Sequence, residues 1–448
     1  MTEKILLVSP SRNYHMANEM YPSGALLLLG TLLKEQGYTV KVVHMVADRV
    51  DITGFCGILA EFRPDIVGFT VSTYQTKVTR SLLEKVKSFD NRIVTIAGGS
   101  HPSALGVEFL NAFPDTDIVV YGEGENALLD IVQGRPLSLI RGIHYKKGNA
   151  IVTNDPAPMM TNLDNLPLPD KSLIDFSQYS GLFPVGCRPS MFIMSSRGCP
   201  FRCSFCSRSI YGNTLRLRSP ENIMAEVELL YKDWGVKEIH FGDDTFNANR
   251  QWADKLLDLI IKGGYHKKLV FRVALRVNEK ILDIELLKHL KATGVWFVYY
   301  GVENGNQSML NHMRKGITIE EVKRAFALAH SVGIKTEAFF IIGLPGETPQ
   351  TIKDSYDLYK EIKPYWAGYS RAMPFPGTEF TREVRDAGHL LCDDYDKFCP
   401  SNMVVRTDAM SADELEAWVF RLNRRADIGK LTHPKQVMYA IKDRAFRR

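Results

Sequence analysis

Short apolar runs recur along this chain with helical patterns between them, and that alternation limits its possible folds more than any other feature. Residues 5–8, 40–43, 66–71, 93–97 and 118–121 read as five buried strands. The first intervening helix is expected to begin after Tyr21-Pro22-Ser23 with proline at its start, to carry Leu26 and Leu33, and to end at Gly37. Strands and helices alternating in this way specify a doubly wound parallel sheet, which binds ligands beyond the carboxyl ends of its strands.

A second series follows. Residues 142–154 read as a hairpin around Lys147-Gly148-Asn149, and prolines punctuate the crossing from Asp155 to Asp170. Six strand candidates then recur at 191–195, 238–242, 270–275, 296–301, 337–342 and 367–373, with helices between them. One helix is expected to start at Ser219-Pro220-Glu221, and Ser411 with Glu414 forms a capping box that opens another. The fold expected is α/β: a Rossmann-like domain over 1–141, a hairpin and proline-rich linker over 142–185, a (β/α)6 partial TIM-type barrel over 186–380 and a helical region over 381–448. At 448 residues and 45% hydrophobic content the chain is long enough for two or three cores.

The seven cysteines are an odd number, and Cys56, Cys187, Cys392 and Cys399 lie scattered without a framework spacing. That pattern points to a reducing, cytoplasmic setting. No apolar run nears the roughly 20 residues of a membrane span. The net charge of +5 is mild and gives no reason to expect nucleic acid. The tail gathers Lys435, Lys442, Arg444, Arg447 and Arg448, a solvated face or a contact for an acidic partner.

The other three cysteines carry the chemistry. Cys199, Cys203 and Cys206 are spaced C-x3-C-x2-C directly after a strand candidate. A four-iron four-sulfur cluster normally takes four cysteines, so three leave one iron open to another ligand. A zinc site, a disulfide and a buried thiol group are the competing readings; zinc favours four ligands, and no second pair or nearby histidine completes this set. The spacing, with the aromatic Phe205 before the last cysteine, resembles the radical S-adenosylmethionine (SAM) superfamily. The resemblance implies that the open iron chelates SAM and that an electron from the cluster cleaves it to a 5'-deoxyadenosyl radical. It also implies SAM contacts at Phe205, at Gly242 and Asp243 for the amine, at Arg276 for a carboxylate, at Glu303 for the ribose and at Gly343 for the adenine. Tyr369 and Arg371 are substrate candidates. A polar turn, a surface salt bridge and core packing are the plainer readings of these positions.

In the first series the strand ends are rich in glycine and small polar residues: Ser72-Thr73-Tyr74, Gly98-Gly99-Ser100-His101 and Gly122-Glu123-Gly124-Glu125. Together with the cysteines downstream, this order resembles the cobalamin-binding radical SAM enzymes over roughly residues 1–380. The resemblance implies cobalamin contacts from these residues and from Ser9 and Tyr14 in the loop after the first strand. That loop departs from the Asp-x-His-x-x-Gly pattern of domains whose histidine ligates cobalt, so His15 is expected on the surface or at the rim, and the resemblance leaves the axial ligand of cobalt open. The implied activity is C-methylation of an unactivated sp3 carbon, with methylcobalamin as the methyl source and an external electron donor. The stretch from His15 to Gly24 resembles archaeal members that methylate the Cα of a glutamine in methyl-coenzyme M reductase, which implies a peptide or protein substrate. A cyclase, oxidase or carbon-coupling enzyme acting on a tetrapyrrole or lipid stays open, and so does a non-catalytic cobalamin sensor.

Overall fold

Alternating side chains build the first sheet. Leu6, Val8, Val67, Phe69, Ala97 and Val119 pack on one face with Phe55, Leu59, Leu82 and Phe109, while Ile5, Leu7, Ile66, Ile96 and Ile118 pack on the other with Leu26, Leu33, Leu128 and Ile131. Burial on both faces is what a parallel sheet covered by helices requires. The computed structural model describes residues 3–10, 21–179 and 187–431. In it β1 (Lys4–Ser9), β2 (Thr39–His44), β3 (Ile66–Thr70), β4 (Val94–Gly98) and β5 (Ile118–Val120) run parallel. The hairpin β6 (Ile143–Lys147) and β7 (Ala150–Thr153) extends this sheet antiparallel, in the order β2-β1-β3-β4-β5-β6-β7. The order reverses at β1, so the ligand crevice of such a fold lies at the carboxyl ends of β1 and β3.

The first helix spans Gly24–Glu35, and the Ser23 side chain accepts from the Leu26 amide at 3.4 Å. Serine rather than Pro22 therefore sets the start, with the proline one residue ahead of the cap. Gly37 follows the helix with φ 87°, as expected of a left-handed cap.

The chain divides into two compact units: Met1–Leu182 with Ser207–Arg216 and Asp394–Lys397, and Phe183–Cys206 with Leu217–Asp393 and Phe398–Arg448. The second unit holds β8 (Ser190–Ile193), β9 (Glu238–Phe241), β10 (Val270–Leu275), β11 (Val295–Glu303), β12 (Lys335–Ile342) and β13 (Trp366–Arg371). All six are parallel and neighbour one another in chain order, the arrangement of an open barrel. One set of alternate residues, including Ile239, Phe241, Val273, Val298, Tyr300 and Phe340, is fully buried. On the alternate positions the rings of His240, Tyr299 and Phe339 follow one another at centroid distances of 5.1 and 6.0 Å. The helix Ala412–Leu431 opens on the expected capping box, the Ser411 amide donating to Glu414 Oε2 at 2.8 Å and the Glu414 amide to Ser411 Oγ at 3.3 Å. It covers edge strand β13 through Asn423, whose side chain exchanges two hydrogen bonds with the Tyr369 backbone at 2.8 and 3.0 Å. Among the described residues no helix is long and apolar enough to cross a membrane.

Candidate active site

The cysteine loop leaves the carboxyl end of β8 through Gly198, whose φ of 80° suits a residue without a Cβ. Backbone bonds pin the loop: Ser204 donates to the Met313 carbonyl at 3.0 Å, and its own carbonyl accepts from Phe380 at 3.1 Å. Cys203 is buried, Cys199 half-buried and Cys206 exposed, and none of the seven cysteines is in a disulfide. Cys199 Sγ lies 3.6 Å from Thr245 Oγ1 and Cys203 Sγ 3.9 Å from Arg276 Nη1. Phe205 lies under Lys315, whose Nζ is 5.9 Å from the ring centroid.

The ends of the following strands surround this loop with charge. After β9 the Gly242 amide donates to Ile193 O at 2.8 Å. Asp243, expected to face an amine, is instead turned onto the end of β8: Ser195 and Ser196 both donate to it, Ser196 at 2.5 Å, and burial pushes its carboxyl up to about 6. The neighbouring Asp244 is exposed, so it is the open carboxylate of the pair. At the end of β11, Glu303 holds φ 67° and pairs with Lys315 at 2.5 Å. After β12, Gly343 at φ 103° donates to Glu347 Oε2 at 2.5 Å, Asn304 donates to the other oxygen at 2.9 Å, and burial pushes this carboxyl up to about 7. The two substrate candidates on β13 are otherwise engaged. Arg371 pairs with Glu416, and Tyr369 is 3% exposed with its ring stacked on Phe340. Both serve the packing of the C-terminal helix, which the local sequence around them does not reveal.

In the first unit Ser9 is buried at the end of β1. Beyond β3, Ser72 donates its amide to Gln75 Oε1 at 2.8 Å, and Gln75 donates to Pro10 O at 2.8 Å, which ties the loops on either side of the reversal point. Thr73 is buried and Tyr74 partly so. At the start of the helix Thr76–Phe89, Asp396 Oδ2 accepts from Thr76 Oγ1 and the Lys77 amide at 2.8 Å each. Gly98 ends β4, and at Gly99, with φ 102°, a Cβ would come within 2.9 Å of the Val71 amide. Ser100 O accepts from Ser209 at 3.2 Å. His101 is 1% exposed, is flanked by Phe109 and Tyr395, and has both ring nitrogens buried without a hydrogen-bond partner. Gly122 donates to Ser103 Oγ at 3.1 Å. Glu123, expected on a cofactor, is held by Arg216 at 2.7 Å and by the Met160 amide at 2.8 Å. Glu125 is buried. Tyr14, His15 and the basic tail lie outside the described residues.

Two family profiles match the chain: the Radical SAM superfamily over residues 193–359 and the B12 binding domain over residues 14–132. The chain joins a B12-binding domain to a radical SAM domain. An uncharacterized methyltransferase of Pyrococcus horikoshii is 28% identical over 447 residues, covering 98% of this chain and 94% of that protein. An anaerobic magnesium-protoporphyrin IX monomethyl ester cyclase of Cereibacter sphaeroides is 29% identical over 435 residues, 94% of this chain and 70% of that protein. The structure of the radical SAM methyltransferase TsrM from Kitasatospora setae superposes with TM-score 0.71 at 23% identity over 86% of this chain and 75% of that one, a likeness of fold.

A cobalamin-dependent radical SAM enzyme works with a four-iron four-sulfur cluster, SAM and cobalamin, and the residues present fit all three. A four-iron cluster places each thiolate on a different iron, so the cysteine loop suits the cluster. Asp244 and the Glu303–Lys315 pair offer polar atoms to a zwitterionic sugar-bearing ligand. The unsatisfied nitrogens of His101 beside the Gly98-Gly99 turn suit a large ligand rich in amides, since an unpartnered buried polar group costs about 1–3 kcal/mol.

Proposed function

We propose that this chain is a radical C-methyltransferase that places a methyl group on an unactivated sp3 carbon, with the Cα of a glutamine in a peptide of methyl-coenzyme M reductase as the first substrate to test. The carrying observation is the three-thiol loop at the end of β8 in a chain that also has a B12-binding domain. The Pyrococcus methyltransferase, similar along nearly the whole chain, supports methyl transfer. When bound, the cluster and SAM supply hydrogen abstraction and cobalamin supplies a transferable methyl group. Such cofactors carry the chemistry, and the protein binds, orients and excludes water.

In this reading Cys199, Cys203 and Cys206 hold the cluster, and Asp244 accepts hydrogen bonds from the SAM amine beside Gly242. Glu303 accepts from the ribose hydroxyls while Lys315 holds it in place, and Gly343 allows the adenine to approach the backbone. Gly98, Gly99, Ser100 and His101 line the cobalamin face at the carboxyl ends of the first sheet. An external one-electron donor reduces the cluster, and the seven cysteines outside any disulfide support a cytoplasmic setting. A second reading, ring closure on a tetrapyrrole, is favoured by the similarity to the magnesium-protoporphyrin cyclase.

Mass spectrometry of anaerobic reactions with SAM, reductant, cobalamin and a glutamine-bearing peptide tests the proposal. A peptide heavier by one methylene, with 5'-deoxyadenosine and S-adenosylhomocysteine in equal amounts, supports it. SAM cleavage with an unchanged peptide and no S-adenosylhomocysteine turns the search to tetrapyrroles. Loaded enzyme that forms neither SAM product is a binding protein.

A further inference from the structure

We infer that Arg276 sets the reduction potential of the cluster by holding a fixed positive charge against the Cys203 sulfur. The inference rests on the reading that the three cysteines hold the cluster. Arg276 is 8% exposed, and among the described residues no carboxylate pairs with it. A buried cation requires an anion close by. The group its guanidinium faces is Cys203, with Nη1 3.9 Å from Sγ.

Three contacts fix that direction. The guanidinium carbon lies over Phe201, 3.6 Å from the ring centroid, and Phe201 stands between Cys199 and Cys203 in the same loop. Nε donates to Asn278 Oδ1 at 2.7 Å, and Asn278 in turn donates to the Gly316 carbonyl at 2.7 Å. Asn247, fully buried, accepts from the Arg276 amide and donates to the Arg276 carbonyl, each at 2.9 Å. The side chain is thus tied to the loop at its tip and to the barrel along its length, a placement that holds before any SAM arrives.

Reduction adds one electron from an external donor and with it one negative charge on the cluster. Hydrogen bonds to the sulfurs and nearby charge set the potential of such clusters, so a guanidinium aimed at Cys203 stabilises the reduced state and raises the potential. Its loss makes the cluster harder to reduce.

The test is an EPR-monitored redox titration of the anaerobically reconstituted full chain without SAM, with dithionite and mediators, alongside a separate SAM-binding measurement. Arg276→Gln is expected to lower the reduction equilibrium constant about tenfold, a shift of 59 mV to more negative potential for a one-electron couple. Asn278→Ala, which frees the guanidinium without touching the loop, shifts it the same way by less. An unchanged SAM-free midpoint in Arg276→Gln, with SAM affinity falling instead, overturns the inference and leaves Arg276 to the SAM carboxylate. If that variant fails to hold a cluster, an unmoved midpoint in Asn278→Ala overturns it equally. Wild-type protein with no iron and no cluster signal overturns the cluster assignment and the inference together.

Discussion

Lys315 Nζ stands 2.5 Å from Glu303 Oε1 with both side chains 10% exposed, and Glu303 reaches this pairing at a φ of 67°. A non-glycine residue in that region carries about 1–3 kcal/mol of strain, tolerated where the surroundings fix it. The pair therefore fixes the position of a buried carboxyl group at the end of β11. Lys315→Met leaves the carboxylate buried without a cation and is expected to cost about 3–5 kcal/mol in urea unfolding. Adding Glu303→Gln removes the orphaned charge and recovers most of that stability. A double variant no better than the single one shows that the charge pair is not what Lys315 contributes.

The two adjacent aspartates are expected to separate stability from binding. Asp243 is buried on Ser195 and Ser196, so Asp243→Asn costs about 1–3 kcal/mol by leaving part of that network unpaired. Asp244 is exposed, so Asp244→Asn changes stability by less than about 0.5 kcal/mol. Its effect falls on SAM affinity, about tenfold or more for one charge-assisted hydrogen bond. Equilibrium dialysis with labelled SAM measures this, and the opposite pattern returns the amine contact to Asp243.

Local pattern and distant pairing divide what the sequence reveals. The run at 270–275 is β10 because Val270, Phe271 and Val273 give a short apolar stretch of strand-forming residues its own signal. The run expected at 296–301 extends to Glu303, because a register shift at Gly301 lets pairing resume between Glu303 and Phe340. The cysteine motif is legible for the same local reason. Glu123 was read as a cofactor contact, but its partner Arg216 stands 93 residues later in the chain. Arg371 likewise finds Glu416 45 residues on. A charged residue near a strand end looks identical in sequence whether it faces a ligand or a distant ion, and only the fold chooses between them.

His101 trades stability for a ligand contact in the proposed function. Both ring nitrogens are buried without partners. His101→Phe keeps a ring against Phe109 and Tyr395 and is expected to raise the stability of the cobalamin-free protein by about 1 kcal/mol. The same change weakens cobalamin binding about tenfold, for one lost hydrogen bond to a buried partner. Thermal unfolding and retention of the cobalamin absorbance measure the two effects. Unchanged cobalamin retention removes His101 from the cofactor face.

Acid stability follows from groups that the two cores hold away from their usual protonation. Burial pushes His44, His101 and His240 each down to about 4 from 6.5. The unfolded chain takes up protons on these imidazoles below pH 6.5 that the folded chain refuses until about pH 4. Their stabilisation is therefore complete above pH 6.5 and lost as pH falls towards 4. Asp243 and Glu347, raised to about 6 and about 7 by burial, act in the opposite direction. The folded chain keeps protons there that the unfolded chain releases, so their contribution weakens as pH rises from about 4 to 7. Among these five groups the three histidines outweigh the two carboxyls near pH 5, so their combined contribution to stability falls with acid. Glu347→Gln removes one opposing group and is expected to steepen the fall, whereas His101→Phe flattens it. Urea titrations from pH 4.5 to 7.5 read both slopes, and an unchanged slope in Glu347→Gln means that this carboxyl is ionised in the folded protein.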